Sequence, residues 1–472
     1  MSKDAHPLSK SKRVRLESLL KTVLEDVSPS AAENESTKRA INIIMERLRL
    51  VTPGNVEILL AGSVARGTHV KGNFDIDIFL LFPRSMNEEA MEKKGLEIAK
   101  KVIKNKDESY SIRYAEHPYT KLLFGSLGVE AEIVPAYKIS NISEKSTAVD
   151  RTQLHNDFVL STLTEKQRGE VRLLKTFLHA YGVYGAEARI EGFSGYLCEI
   201  LIGYFGSFIN AITYASNMKL PLAIDVLHKK EYAKGTKEIA TMLSEFNHNF
   251  IVLDPTDEHR NVAANVSDES LSRLIIASRI LLNNPSKLAF YGKGYSDSAA
   301  RNKISGIRKS LGADVYLMSL KLPDIAEDIT WQQLKRLNSR MAALLKHNGF
   351  EPILALQNID NSDAIVAFLT GRSDITSRVV EGPSVIIRNA YEQFVKAHGN
   401  STMLYLEKDR ICSIEPAKYR TPQALLRSFI SDKKEVLPSY LDRKSIRLYV
   451  NDMPENYAKM LYRAYMEKRS AP

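Results

Sequence analysis

The sequence predicts an α+β protein built from several domains. Its 472 residues are more than one hydrophobic core normally supports and indicate roughly two to four domains. Strand and helix patterns alternate in the first part of the chain, and long apolar helical patterns dominate the middle. From residue 314 to residue 407 the predicted order of elements is β-α-β-β-α-β, which again mixes helices with strands in one domain.

The chain opens with two predicted helices, at residues 14–27 and 31–51, because apolar residues recur there at helical spacing. Ser28-Pro29-Ser30 between them breaks the pattern and supplies an N-terminal cap for the second helix. The apolar run 56–60 then predicts a short strand.

One helix and three strands follow the first strand. Their predicted bounds are 86–104 for the helix and 109–115, 119–126 and 129–134 for the strands. Leu127-Gly128 separates the last two strands by a glycine-containing turn, which indicates a β-hairpin.

Candidate chemistry lies in residues 61–82, directly after the first strand. Gly62 opens a glycine-rich turn, where glycine permits positive φ and close approach of the backbone to a ligand. Asp75 and Asp77 follow in a β-branched and aromatic run, and residues two apart on a strand point to the same face. We therefore expect the two carboxylates to project together, with Ile76 and Ile78 pointing into a core.

These residues predict a site for a metal ion and a phosphate. Two carboxylates held close together repel each other, and a bound cation offsets that cost. Oxygen ligands suit a hard divalent ion, above all Mg²⁺. Gly62 and Ser63 offer backbone N–H groups and a hydroxyl at a turn, and Arg66 adds a forked cation for phosphate oxygens. Such a set indicates phosphoryl or nucleotidyl transfer.

The composition is that of a globular protein with a basic surface. Apolar residues make up 44% of the chain and charged residues 26%, which excludes the disordered and fibrous classes. Lys and Arg number 66 against 56 Asp and Glu, and the formal net charge is +10. This balance favours a polyanionic partner, because cationic side chains displace the counterions of phosphates.

The sequence contains no pattern that predicts a membrane segment or an oxidising compartment. Cys198 and Cys412 are too far apart for a disulfide framework or a zinc site, so we expect a reducing, cytoplasmic location. Residues 1–15 lack the apolar stretch of a signal peptide. The most apolar segment, 197–212, contains Glu199 and Asn210 and is too short to span a bilayer.

The motif resembles the signature of the polymerase-β-type nucleotidyltransferase superfamily, which is Gly-Ser, a short spacer and Asp-x-Asp. Its fuller form, Gly62-Ser-Val-Ala-Arg-Gly-Thr68 and then Phe74-Asp-Ile-Asp-Ile-Phe-Leu-Leu-Phe-Pro83, is similar to the archaeal (class I) CCA-adding enzymes, which are tRNA nucleotidyltransferases. The resemblance covers most of the chain, strongly from about residue 55 to 265. It implies a polymerase-β-like palm, a helical neck, and C-terminal body and tail domains.

The same resemblance implies a third acid. In the run Val-Glu-Ala-Glu-Ile-Val-Pro, the carboxylate before Ile-Val-Pro matches the family's third metal-associated acid, so Glu132 is the candidate rather than Glu130. The family more often has Asp at this position. The resemblance therefore implies that Asp75, Asp77 and Glu132 are the catalytic residues and the ligands of two Mg²⁺ ions.

The resemblance also implies the contacts of the nucleotide. Motifs of the family match at His155, Lys175 and Tyr184, which would hold the triphosphate, and at Arg260, which would read the incoming base. A further family tyrosine is replaced by Ala188. The implied nucleotide-binding set is Gly62, Ser63, Arg66, His155, Lys175, Tyr184 and Arg260. The segment Gly-Phe-Ser-Gly-Tyr-Leu-Cys-Glu that ends at Glu199 is interpreted as packing behind the nucleotide.

Domain boundaries follow from the resemblance and from the break at Asn283-Asn-Pro285. They are 1–145 for the palm, 146–285 for the nucleotide-binding neck, and 286–472 for a tRNA-binding body and tail. The β-α-β-β-α-β order at about 314–407 predicts a ferredoxin-like unit similar to RNA-recognition motifs, without their aromatic signatures. Residues 293–309 are interpreted as a basic, turn-rich segment that could meet backbone phosphate.

The resemblance implies an enzyme that adds CMP, CMP and AMP, from CTP and ATP, to the 3′ end of tRNA without a nucleic-acid template. One alternative is a poly(A)- or oligoadenylate-type polymerase of the same superfamily, which shares the metal motif. An alternative of another class is a noncatalytic RNA-binding protein with a degenerate transferase domain, although such domains usually lose their carboxylates. The oligomeric state is left open, with a homodimer among the options.

Overall fold

The chain folds into two compact units, Met1–Lys293 and Gly294–Pro472. The computed structural model describes residues 10–72, 75–114, 117–291, 296, 298–323, 327–371, 374–432, 437–438 and 441–468. Helices and strands are mixed in both units, as the sequence predicts. All of the candidate catalytic and nucleotide-binding residues lie in the first unit.

Two helices open the first unit, α1 at Lys10–Val27 and α2 at Ala31–Val51. The predicted cap is present, because the Ser30 hydroxyl accepts a hydrogen bond from the Glu33 N–H while the Glu33 carboxylate accepts one from the Ser30 N–H. The apolar side of α2 covers the first sheet, whereas that of α1 packs with helices further along the chain. Within the predicted palm range, 1–145, α1 thus contributes to the helical core.

A five-stranded sheet follows, in the order β1-β2-β5-β4-β3. Its elements are β1 Glu57–Ala61, α3 Gly62–Ala65, β2 Ile76–Phe82, α4 Glu88–Lys100, β3 Glu108–Tyr114, β4 Pro118–Phe124 and β5 Val129–Tyr137. β2 and β5 run parallel, and the other neighbours are antiparallel. The predicted hairpin joins β4 to β5, with Gly128 at φ 62° where glycine is favoured.

The two faces of this sheet have different tasks. Ile76 and Ile78 are fully buried beneath α2 and α4, as the alternation in the sequence predicts. Asp77 lies between them on β2 and therefore points to the opposite face, and Glu132 occupies the matching position on the neighbouring strand β5. The face opposite α2 and α4 thus carries the candidate chemistry, together with a smaller apolar cluster that includes Phe79 and Leu81.

Residues between the sheet and the next helices are held by side-chain hydrogen bonds. The fully buried Asp150 carboxylate accepts from the N–H groups of Tyr137 (2.8 Å), Ser146 (2.9 Å) and Thr147 (3.0 Å). The Gln153 side chain donates to the Tyr137 carbonyl at 2.7 Å and accepts from the Ile139 N–H at 3.3 Å. The end of β5 is therefore bonded directly to the start of the helical region.

Seven helices and a small sheet complete the first unit. They are α5 Thr152–Thr162, α6 Glu165–Ala180, α7 Gly195–Phe205, α8 Phe208–Ser216, β6 Leu222–Asp225, β7 Lys230–Ala233, α9 Lys237–Phe246, β8 Phe250–Asp254, β9 Asp257–Asn261, α10 Asp268–Asn283 and α11 Leu288–Tyr291. The sheet has the order β7-β6-β8-β9, so the predicted helical neck also contains strands. No single described helix has the length and apolarity to cross a membrane, and the apolar pair α7 and α8 is bent by 94°.

The second unit contains two further sheets. Its elements are α12 Ala300–Leu311, β10 Asp314–Lys321, α13 Glu327–His347, β11 Pro352–Asp360, β12 Asp363–Thr370, β13 Ser377–Ser384, α14 Arg388–His398, β14 Met403–Glu407, β15 Arg410–Pro416, α15 Pro422–Ser431, β16 Arg447–Val450 and α16 Glu455–Lys468. One sheet has the order β11-β12-β10-β16 and the other the order β13-β15-β14. Buried residues of α12 and α16 share a core with β10, β11 and β12.

The ferredoxin-like unit predicted at about 314–407 is not confirmed. β10, β11 and β12 share one sheet, but β14 pairs with β15 in the other, and β16 lies beside β10 instead. A two-residue turn, with Lys408 at φ 56°, joins β14 to β15, so their pairing costs little loop entropy. None of the residues of β14 is buried, so in this position the strand contributes little to a core.

The basic segment at residues 293–309 differs from its prediction as well. From Ala300 onward it forms helix α12 rather than turns, while Lys293 and Tyr295 lie outside the described residues. Arg301 pairs with Glu455 at 3.7 Å, and Arg308 pairs with Asp314 at 3.5 Å. These side chains already have acidic partners, which weakens the case for phosphate contacts in this segment.

Candidate active site

The three predicted acids lie close together at the first sheet, with Asp77 and Glu132 on adjacent strands and Asp75 just before β2. Asp77 on β2 is in register with Glu132 on β5, and Glu132 is in register with Lys121 on β4. The Lys121 Nζ lies 3.6 Å from Asp75 Oδ1 and 4.0 Å from Glu132 Oε1. The predicted grouping of Asp75 and Asp77 with Glu132 therefore appears in the fold, around an ammonium that the sequence interpretation did not assign.

Glu130 holds this ammonium in place. The Lys121 Nζ contacts Glu130 Oε2 at 2.6 Å, which is much closer than either of its other two carboxylate contacts. Glu130 is more exposed than Glu132. It lies two residues before Glu132 on β5, so Glu132, and not Glu130, is the residue in register with Asp77. The structure thus separates the two glutamates, with Glu132 beside Asp77 and Glu130 paired with a lysine.

The carboxylates of this cluster disfavour each other's charge. Burial raises the pKa of Asp77 to about 7, and the nearby charges of Glu132 and Asp75 add to the effect. Burial and Asp75 likewise raise the pKa of Glu132. Lys121 compensates only part of this excess negative charge. A divalent cation with a preference for oxygen ligands would relieve the rest, so the residues present fit such an ion.

The glycine turn packs directly against one of these carboxylates. Gly62 has a φ of 72°, and a Cβ placed on it would lie 1.7 Å from Asp77 Oδ2. Only glycine can therefore occupy this position. Arg172 on α6 fixes the end of the turn, because its guanidinium donates to the Gly67 carbonyl at 2.6 Å and to the His69 carbonyl at 3.0 Å.

A second cluster surrounds Glu199 on α7, whose side chain is fully buried. The Arg66 Nε lies 3.2 Å from Glu199 Oε2, and the Lys175 Nζ lies 3.8 Å from Glu199 Oε1. The Thr68 hydroxyl donates to the same carboxylate and accepts from the Lys175 ammonium at 3.2 Å. Two predicted phosphate contacts, Arg66 and Lys175, are thus brought together by an acid that was interpreted as packing.

Tyr184 lies beside this cluster. A Cβ placed on Gly195 would be 3.3 Å from the Tyr184 hydroxyl and 3.5 Å from the Lys175 Nζ, so both groups converge on the first turn of α7. Burial raises the pKa of Tyr184, which therefore acts as a neutral hydrogen-bond donor. Ser63 lies in the adjoining turn, where its carbonyl accepts from the Thr68 N–H at 2.9 Å.

A third cluster surrounds Asp254 at the end of β8. Its carboxylate accepts from His155 Nε2 at 2.9 Å, from Arg260 Nη1 at 2.8 Å and from the Tyr196 hydroxyl at 3.1 Å. The rings of His155 and Tyr196 are stacked, with centroids 3.8 Å apart. Although burial opposes it, the hydrogen bond from His155 holds the pKa of Asp254 below its usual range. Two predicted nucleotide contacts, His155 and Arg260, therefore share one anion.

The three clusters act on one another electrostatically. The positive charges of Arg66 and Lys175 lower the pKa of Asp77, in opposition to the effect of burial. The charge of Arg66 also contributes to the lowered pKa of His155, for which burial is the largest cause. The predicted acids and the predicted nucleotide contacts thus lie close enough in the first unit to influence one another's protonation.

Comparison with known proteins identifies the family. Residues 38–155 match the nucleotidyltransferase domain, residues 169–291 match the second domain of tRNA nucleotidyltransferase, and residues 311–442 match the C-terminal domain of the CCA-adding enzyme. The matched regions cover both compact units.

Curated relatives extend the match over nearly the whole chain. The CCA-adding enzyme of Methanocaldococcus jannaschii is 34% identical over 92% of this chain and 94% of its own length, and that of Archaeoglobus fulgidus gives the same values. The chain belongs to the CCA-adding enzyme family. A further CCA-adding enzyme, from Thermoplasma acidophilum, is 36% identical over 82% of this chain and 84% of its own. Among solved structures, one of an RNA terminal uridylyl transferase covers 60% of the chain with a TM-score of 0.46 and 14% identity.

CCA-adding enzymes are nucleotidyltransferases, so membership confirms the predicted enzyme class and implies a divalent metal and nucleoside triphosphates. The sequence analysis does not assign Lys121, Asp254 or Arg172 to the site. For two of these residues, the position in the sequence could have indicated that they lie near it. Lys121 lies on the predicted hairpin with Glu132, and Asp254 ends the apolar, β-branched run that begins at Phe250.

Proposed function

We propose that this chain completes the 3′ end of tRNA by adding C, C and A from CTP and ATP, with Asp75, Asp77 and Glu132 as its catalytic acids. The observation that carries the proposal is the register of Asp77 with Glu132, beside a glycine turn that admits no other residue. Family membership supports the substrates, because the relatives are CCA-adding enzymes. The proposed sites for Mg²⁺, nucleotide and tRNA all follow from this activity.

The reaction forms one bond and breaks one bond. The 3′ oxygen of the tRNA attacks the α-phosphorus of the nucleotide, and the bond from that phosphorus to the β-phosphate oxygen breaks, so that pyrophosphate leaves. When bound, two Mg²⁺ ions held by Asp75, Asp77 and Glu132 would lower the pKa of the 3′ hydroxyl and neutralise the triphosphate. Glu132 is also proposed to accept the hydroxyl proton.

The nucleotide is proposed to lie along the other two clusters. Arg66, Lys175 and Tyr184 supply cationic and hydroxyl donors for the triphosphate, joined by the turn at Gly62 and Ser63. His155 and Arg260 lie at the far cluster, where the Asp254 carboxylate fixes the orientation of the Arg260 guanidinium. A guanidinium held in this way presents fixed donors, which suit the acceptors on cytosine and adenine.

A stepwise extension assay tests the proposed function. A tRNA transcript that ends at its discriminator base is incubated with labelled CTP and ATP, and we expect extension by three nucleotides followed by a stop. Continued addition of A would instead indicate a poly(A)-type polymerase. Absence of any incorporation in the presence of a divalent cation would indicate a noncatalytic RNA-binding protein. The family models favour the first outcome, because they match the CCA-adding enzyme in the C-terminal unit as well.

A domain division into palm (1–145), neck (146–285), and body and tail (286–472) is retained as part of this proposal. The tRNA is expected to contact the second unit, because the family model for that region belongs to the CCA-adding enzymes. A cytoplasmic location and a homodimer are compatible with this activity and remain proposals.

A further inference from the structure

The Glu199 carboxylate occupies an unusual position between two predicted phosphate contacts. It is 1% exposed, and it lies on α7, whereas Arg66 follows α3 and Lys175 lies in the middle of α6. Its contacts therefore connect three separate elements of the first unit. Lys175 is also buried, with 3% exposure, and its ammonium donates to the carbonyl and the hydroxyl of Thr68, both at 3.2 Å.

Burial makes this arrangement depend on pairing. An ammonium or a carboxylate loses its hydration when it is buried, and only a partner charge and hydrogen bonds compensate for that loss. Glu199 is the acid that pairs with both Arg66 and Lys175 among the described contacts. With two cations against one anion, the cluster keeps a net positive charge, which remains available for a polyanionic ligand.

From this geometry we infer that Glu199 is a positioning residue for the triphosphate, which holds the Arg66 guanidinium and the Lys175 ammonium in place before the nucleotide binds. This inference rests on the proposed function, because it assigns the triphosphate to these two cations. It goes beyond the proposed function because it assigns Glu199 the role of orienting both cations. Burial lowers the pKa of Lys175, and the negative charge of Glu199 acts against that effect.

Glu199→Gln tests the inference, because the amide keeps the shape of the side chain and removes its charge. Binding of CTP, of inorganic tripolyphosphate and of CMP to the full chain is measured by calorimetry in the presence of Mg²⁺. We expect tripolyphosphate and CTP to bind about tenfold more weakly or worse, because Arg66 and Lys175 lose the acid that orients them. CMP, which lacks the β- and γ-phosphates, should change by less than about twofold. The KM for CTP should rise in parallel, while the KM for tRNA stays constant.

Glu231→Gln provides the matched control. The Glu231 carboxylate also lies in the first unit and accepts hydrogen bonds from the hydroxyls of Tyr204 and Tyr214, both at 3.1 Å, without a cation among those contacts. Its loss of charge should leave tripolyphosphate binding unchanged. Glu199→Asp should recover part of the binding that Glu199→Gln loses, because the charge is restored.

A double variant keeps the inference testable if Glu199→Gln alone fails to fold. In the Lys175→Met background both members of the buried pair are removed, so the double variant should fold. Because Arg66 loses its acid there as well, tripolyphosphate affinity should fall more than about threefold below that of Lys175→Met. Tripolyphosphate binding of wild-type strength in Glu199→Gln, or binding in the double variant as strong as in Lys175→Met, would overturn the inference and leave the proposed function intact. If the wild-type chain binds neither CTP nor tripolyphosphate, the proposed function itself fails.

Discussion

Asp77→Asn should stabilise the metal-free protein and at the same time abolish its activity. Asn has almost the shape of Asp, so the register of β2 with β5 is kept, and its side-chain N–H groups can donate to the Glu132 carboxylate. The negative charge is lost. Stability and activity are therefore expected to change in opposite directions, which separates a metal ligand from a structural carboxylate.

The size of the stability change follows from the pKa of Asp77. Burial and the neighbouring acids raise this pKa from 3.8 to about 7. At about 1.4 kcal/mol for each pH unit between the two values, the charged carboxylate lowers the free energy of unfolding by up to roughly 4 kcal/mol. An acid with a raised pKa binds its proton more tightly in the folded state. The cost is therefore absent below about pH 4, grows as the pH rises, and is complete above about pH 7.

Unfolding in urea with EDTA, at pH 8 and at pH 4, measures this change. The variant should be more stable than wild type at pH 8, by up to roughly 4 kcal/mol, and the difference should nearly vanish at pH 4. Glu57→Gln is the control, because Glu57 is an exposed carboxylate at the start of β1 that pairs with Lys138. This control should differ from wild type by less than about 0.5 kcal/mol at either pH.

Activity and metal response complete the test of Asp77. Addition of CMP and AMP should fall by more than about 10³ in Asp77→Asn, because charge stabilisation by the metal is lost in the transition state. Mg²⁺ should raise the thermal midpoint of the wild type more than that of the variant. A variant that is less stable than wild type in EDTA at pH 8, or whose activity is within about tenfold of wild type, would refute the reasoning.

Three more perturbations address other parts of the site. Lys121→Met should lower metal-free stability by about 1 kcal/mol and tighten Mg²⁺ binding, since the ammonium shares the acids with the metal; weaker Mg²⁺ binding would contradict this. Affinity for tRNA should fall steeply between low and physiological salt, as the net charge of +10 implies; a flat profile would exclude phosphate-driven binding. Arg260→Ala should lower kcat/KM for CTP and ATP more than for UTP, because uracil offers a donor at N3; a common factor for all three would assign Arg260 to phosphate or tRNA.

Sequence reasoning succeeded where the signal is local. The opposite faces of Ile76 and Asp77 on β2 and the cap at Ser30 depend on residues within a few positions of each other, whereas Asp75 lies just before the strand. The period of a strand and the geometry of a helix end determine such features directly. Family resemblance added Glu132, which the fold places in register with Asp77.

The missed features depend on pairing between distant segments. Glu199 contacts Thr68 across 131 positions, and Asp254 contacts His155 across 99, so no local pattern identifies either acid as a partner. The same limit explains the C-terminal unit. Period and propensity predicted a strand at β14, but the choice between β15 and β10 as its neighbour depended on loop entropy and on the burial that each sheet offers.

Side-chain hydrogen bonds connect the end of β5 to the start of the helical region. This connection bears on how one active site could add three nucleotides in succession. Asp150 accepts hydrogen bonds from the N–H groups of Tyr137 and Ser146, and Gln153 donates one to the Tyr137 carbonyl. These bonds restrain the segment between β5 and α5, so it is poorly suited to act as a hinge. Palm strands and neck helices should then move as one body, and the space between them should keep nearly constant dimensions through the cycle. We therefore expect the growing tRNA end to retreat by one nucleotide after each addition, and the difference between a C and an A step to arise from the RNA end and the side chains around the incoming base.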